Sequence, residues 1–241
     1  MKLHIGSAVK GGVALVLEYP AMLVPLLLMA LLNIVVGVYG MQSMVAALGN
    51  VWGNYGMSVE RMFGVWQSIA PSLLLSLLLG LFLFLMACHM ALNAKRGASL
   101  SASAQAAARM YVPLLVAGFL YAVMVAVGSF ILILPGAYLF IRFMYFPWFG
   151  MAEGKGVFAS LRASCALSNG SFWRNAGLVL LLTLLGMGMG LVVKELAPLD
   201  ATALAQASVA NLVLGALGWL FVSAVKLGVL THAFGQLKGK S

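Results

Sequence analysis

The chain has 241 residues, 63% hydrophobic and only 8% charged, with a mean hydropathy of +1.08 and a formal net charge of +9. So few charges cannot cover a water-soluble domain of this size, which excludes a soluble globular protein and places the chain in a membrane. The basic balance suits anionic lipid headgroups; nucleic-acid binding would call for a basic stripe on a folded face.

In chain order, the N-terminal residues do not read as a secretory signal, because the apolar region that follows is too long and carries Glu18. Residues 5–17 are short, mildly amphipathic and rich in Ala and Gly, with Lys10 among them. They read as an interfacial helix leading into a first span at about 20–40. The following loop, 41–68, carries Trp52, Tyr55, Phe63 and Trp66 among glycines and asparagines. Such residues have an apolar body and a polar edge, so they anchor at a membrane interface; a docking surface for a partner is the alternative.

A second span is predicted at about 69–92 and a second interfacial helix at 98–110, which carries Arg109. The apolar run 111–152 then continues for 42 residues with a single charge, Arg142. A helix needs about 20 residues to cross a roughly 30 Å hydrocarbon core, so this run is long enough to cross, turn and return. The turn is expected near Pro135-Gly136, giving spans at 111–134 and 136–152. The second of these is short and has Pro147 near its end, which predicts a tilt, a kink or a partly interfacial path.

A third interfacial segment, 157–167 with Arg162, precedes spans at 172–193 and 208–233, joined by a loop at 194–207 that is too short to fold alone. The expected architecture is all-α: one transmembrane domain over 1–241, a polytopic bundle of about six spans with short interfacial helices. The unit "interfacial helix, span, return span" starts near 5, 98 and 157, so a threefold repeat and a chance arrangement are both open.

Charge sets orientation. With six spans, Lys2, Lys10, Lys95, Arg96, Arg109, Lys155, Arg162, Arg174, Lys238 and Lys240 all fall on one side, and only Arg61 and Lys194 on the other. The positive-inside rule makes the first side, with both termini, cytoplasmic.

The stretch 133–181 contains Pro135-Gly136, Arg142 inside the following helix, Glu153 at its end, Ala166 to Ser168, and Gly170 to Trp173 leading into the next span. This pattern resembles uncharacterised bacterial multi-pass proteins of the YciC-like inner-membrane family and the membrane domain associated with glycerophosphodiester phosphodiesterases. The resemblance implies a fold and a bacterial inner-membrane location. It brings no phosphodiesterase chemistry, because the catalytic domain of those enzymes has no counterpart in this chain.

Candidate site residues are few. Arg142 keeps its proton, and a charge at mid-bilayer costs from ~2.5 to above ~10 kcal/mol, so it must face the bundle interior, a cavity or a headgroup. It either binds an anionic group such as a lipid phosphate or ties helices together. Lys226 lies within the last span toward its cytoplasmic end, where snorkelling would relieve it, and Glu18 is the carboxylate close to the apolar region on that side. A pair between Glu18 and Lys226 or Arg142 would lower the burial cost of both.

Gly186 and Gly190 form a small-xxx-small face that allows close helix approach, either within the bundle or to a partner. His4, His89 and His232, with Cys88 beside His89, follow no known metal-ligand spacing, and Cys88 and Cys165 are too few and too distant for a disulfide framework. The sequon Asn169-Gly170-Ser171 falls on the cytoplasmic side. No catalytic motif, metal site or cofactor fingerprint emerges. The expected function is a non-enzymatic membrane protein that assists an envelope assembly, with membrane lipids and other integral membrane proteins as partners and no nucleic acid. The alternative is a transporter or lipid-handling protein with an Arg/Lys site for an anionic group.

Overall fold

The computed structural model describes residues 3–49, 59–131, 133–196 and 209–239, and all regular elements among them are helical. They are α1 (Ile5–Glu18), α2 (Leu23–Gly49), α3 (Val59–Leu92), α4 (Leu100–Ile131), α5 (Ile133–Phe143), α6 (Phe146–Glu153), α7 (Val157–Ser168), α8 (Phe172–Leu196) and α9 (Val209–Lys238). Single 3₁₀ turns at Pro20–Met22 and Ala94–Arg96 link α1 to α2 and α3 to α4. The protein is an all-α, membrane-embedded bundle.

Among the described residues, five segments are long and apolar enough to cross a bilayer: Pro20–Tyr39, Ile69–Leu92, Leu100–Phe130, Phe172–Leu196 and Val213–Lys238. Their outward faces are apolar: Leu77, Phe119, Leu184 and Leu191 are all well exposed, as lipid-facing positions should be. The tightly buried core lies toward one end of the bundle. There Leu85 and Cys88 of α3, Trp148 and Phe149 of α6, Leu178 of α8 and Val229 and Phe234 of α9 pack together with Leu3 and Ala8.

The chain's two ends meet at that end. The His4 N–H donates to Gln236 Oε1 at 3.0 Å, and Gln236 Nε2 donates to Ser7 Oγ at 2.9 Å. Helix α1 then runs along α9 at very short range. A Cβ on Gly12 would fall on the backbone of Val229, a Cβ on Gly228 on the carbonyl of Gly12, and a Cβ on Gly11 on the His232 ring. Only glycine permits this approach.

Several expectations are corrected. The return span 136–152 is not one helix: it is α5 and α6, separated by a turn at Met144-Tyr145. Pro147 supplies the reason, since it lacks the N–H that would continue the helix from α5 and is tolerated in a first turn, where it stands in α6. Helix α4 ends at Ile131 and α5 begins at Ile133, ahead of the expected turn, and Pro135 sits in the first turn of α5. A proline is harmless there because first-turn N–H groups have no helical acceptor.

Residues 98–110 do not form a separate surface helix. Most of them are the opening turns of α4, which continues to Ile131 and packs on α3 through a hydrogen bond between His89 Nδ1 and Ser103 Oγ at 3.0 Å. The long loop 41–68 shrinks, because α2 extends to Gly49 and α3 begins at Val59. Phe63 and Trp66 lie on α3, 64% and 61% exposed, as an interfacial anchor would be. Trp52 and Tyr55, like most of the 194–207 loop, lie outside the described residues. Helix α7 matches the expected third segment, burying Ser160, Leu161, Ser164 and Ser168 and exposing Phe158 and Arg162.

Candidate functional site

Arg142 ends α5 at the broken return segment. Its guanidinium donates to the Cys165 carbonyl at 3.2 Å and, at short range, to Asn169 Oδ1 and Tyr138 Oη; its Cζ stands 5.0 Å from the Tyr138 ring centroid. Asn169 lies between α7 and α8, just before the span that opens at Phe172. The break in the helix therefore brings Arg142 to the end of a span, although in sequence it sits deep within an apolar run.

The backbone around the break is satisfied from α7. Ser164 Oγ donates to the Arg142 carbonyl at 3.1 Å and accepts the Tyr145 N–H at 3.1 Å, while Ser168 Oγ donates to the same carbonyl at 3.2 Å. Tyr145, fully buried, donates its hydroxyl to Asn175 Oδ1 at 3.3 Å. Two donors, Arg142 Nε and Asn175 Nδ2, are buried without an acceptor. This is a tethering arrangement: a planar cation ties the end of α7 and the Asn169 that follows it to α5, with no carboxylate in contact with it among the described residues.

The expected pairing with Glu18 does not occur. Glu18 is exposed at the end of α1, and the ion pairs of the described residues all involve Glu153. Glu153 meets Lys155 at 2.7 Å and Lys238 at shorter range, and Lys155 Nζ also lies 4.8 Å from the Phe149 ring centroid. Hydrogen bonds from Lys155 and Lys238 hold the Glu153 carboxyl below its ordinary range.

The second arrangement lies between α8 and α9. Gly186, Met187, Met189 and Gly190 of α8 face Gly215, Gly218, Trp219 and Lys226 of α9 across a cleft of about 500 Å³, inside the ~300–1,000 Å³ range of ligand sites. The helices touch closely at one point, where a Cβ on Gly218 would lie 3.0 Å from Val193 and 3.2 Å from Met189. Other glycines face an open groove. Nothing lies within 4 Å of a Cβ placed on Gly190 or Gly215, and Lys226 Nζ stands 3.6 Å from one on Gly186.

The expected packing pair, Gly186 and Gly190, lines this cleft. Gly186 makes only ordinary contact, Gly190 borders open space, and the closest helix crossings belong to Gly12 with Gly228 and to Gly128 with Gly136. Periodicity within one helix reveals small faces but cannot tell which distant glycine they oppose. Lys226 stands midway along Val213–Lys238, about 18 Å from either end of that helix at ~1.5 Å per residue.

The sequence reading missed Tyr138, Asn169, Ser164, Ser168 and Asn175. A signal for the serines existed: Ser160, Ser164 and Ser168 recur every four residues on an otherwise apolar helix. The histidines stand in separate networks, His89 with Ser103 and His232 with Gln236. No family model, curated protein or solved structure matches this chain, so its geometry carries the functional reading.

Proposed function

We propose that this chain is a non-enzymatic multi-pass protein of the bacterial inner membrane that assembles with another integral membrane protein inside the bilayer. The observation that carries this reading is the α8–α9 cleft, where bare glycine backbone and adaptable methionines surround a lysine with no ion-pair partner among the described residues. Intramembrane charges pair or mark functional sites, and Arg142 is already occupied by Tyr138, Asn169 and Cys165.

Both termini are proposed to be cytoplasmic. The meeting of His4 with Gln236 supports a shared side, and the concentration of Lys10, Lys95, Arg162 and Lys238 on one side supports its being the cytoplasmic one. The YciC-like resemblance of 133–181 supports the same location. Reporter fusions at residue 241 and within 41–68 are expected to report opposite sides, and a shared side would overturn this topology.

A second reading, lipid handling, is favoured by the outer groove of α7, about 460 Å³ lined by Lys155, Phe158 and Arg162. A photo-crosslinking amino acid at Gly190 separates the two in native membranes. Discrete polypeptide adducts that disappear with Lys226→Met support assembly. Adducts to lipid alone overturn it in favour of the second reading.

A further inference from the structure

We infer that the partner element seated in the α8–α9 cleft is a single transmembrane helix carrying a carboxylate level with Lys226. The inference rests on the assembly reading and names the chemistry of the partner. Lys226 Nζ points toward Gly186, in the middle of α8, and no described carboxylate is placed to meet it. Glu18 is exposed at the end of α1, Glu153 is held by Lys155 and Lys238, and Glu195 is exposed near the end of α8. A counter-charge at the same depth stabilises a lysine placed there.

Depth decides between a helix and a lipid. The acidic group of a phospholipid is held at the headgroup level, about 15 Å from the middle of a ~30 Å core, so its charge arrives at the wrong level. A spanning helix can present Asp or Glu at any level. The cleft walls suit one: Gly190 and Gly215 leave open space where side chains would stand, so a second backbone can come close, while Met187 and Met189 adjust to its side chains.

The test uses the purified full-length protein in neutral phosphatidylcholine vesicles with dye-labelled, Trp-flanked Leu/Ala peptides of about 21 residues, association being read by energy transfer. One peptide carries Glu at its centre, others carry Gln or Leu there, and one carries Glu displaced by two turns. The central-Glu peptide is expected to associate roughly tenfold more tightly than the rest, Lys226→Met to abolish that advantage, and Gly190→Leu to weaken every peptide while leaving the melting temperature unchanged. Equal association of the Glu and Leu peptides, lost in Gly190→Leu, would overturn the carboxylate inference and leave the assembly reading standing. No peptide association, with Lys226-dependent binding of a labelled fatty acid in its place, would overturn both.

Discussion

Ser164 bridges both sides of the break at Arg142: its hydroxyl donates to the Arg142 carbonyl and accepts the N–H of Tyr145, each at 3.1 Å. A helix interrupted within a membrane protein leaves backbone groups that lipid cannot satisfy, and one side chain from α7 serves two of them. Ser168 supports the same carbonyl alone. Ser164→Ala is therefore expected to cost about 1–3 kcal/mol and Ser168→Ala less than about 1, because only the first leaves a buried N–H without an acceptor. Thermal unfolding in mild detergent gives the ranking, and the reverse order would refute the account.

The crossing of Gly12 and Gly228 leaves no space for a methyl group, since a Cβ on either meets backbone. Gly12→Ala and Gly228→Ala should each lose about 1–3 kcal/mol by overpacking. Gly188→Ala, with nothing within 4 Å of its Cβ, is the matched control and should melt like the parent protein.

At Arg142, shape matters beyond charge. The guanidinium reaches Tyr138, Asn169 and the Cys165 carbonyl together, which an ammonium on a flexible stem does not reproduce. Arg142→Lys should destabilise by about 1–2 kcal/mol while the co-purifying anionic lipid stays unchanged. A Lys variant with parental stability that has lost anionic lipid would instead make Arg142 a headgroup site.

Acid should loosen the end of α9. The Glu153 carboxyl is held below its ordinary range by Lys155 and Lys238, so it binds protons less readily folded than unfolded. Its contribution is complete above the ordinary carboxylate range near pH ~4 and is lost as pH falls through the lowered folded value. Melting curves between pH 7 and pH 3 should fall less steeply for Glu153→Gln than for the parent chain. Equal slopes would mean the latch contributes nothing to stability.

Much of the bundle was legible in the sequence because hydropathy over a window reports lipid exposure directly: 20–40, 69–92 and 172–193 coincide closely with Pro20–Tyr39, Ile69–Leu92 and Phe172–Leu196. The break before Pro147 was only half legible. Proline announces a defect, but whether the chain kinks or separates into two helices depends on Ser164 and Ser168, about twenty residues away, filling the freed positions. Arg142 and Lys226 were both found. Arg142 lies centrally in an apolar run that does not remain one helix, and the helix that carries Lys226 extends past the predicted 233 to Lys238. The cleft itself depends on which residues of two helices come to face each other, which a linear pattern does not record.

The pairing of α1 with α9 sets the order in which this protein can be completed. Gly12 leaves the ribosome more than two hundred residues before Gly228, the residue it must lie against. At ~5–20 residues per second, the first helix waits on the order of ten to forty seconds with its contact face uncovered. Throughout that interval every intermediate length of chain is unclosed, so quality-control proteases meet a nascent protein whose first segment is its last to be secured.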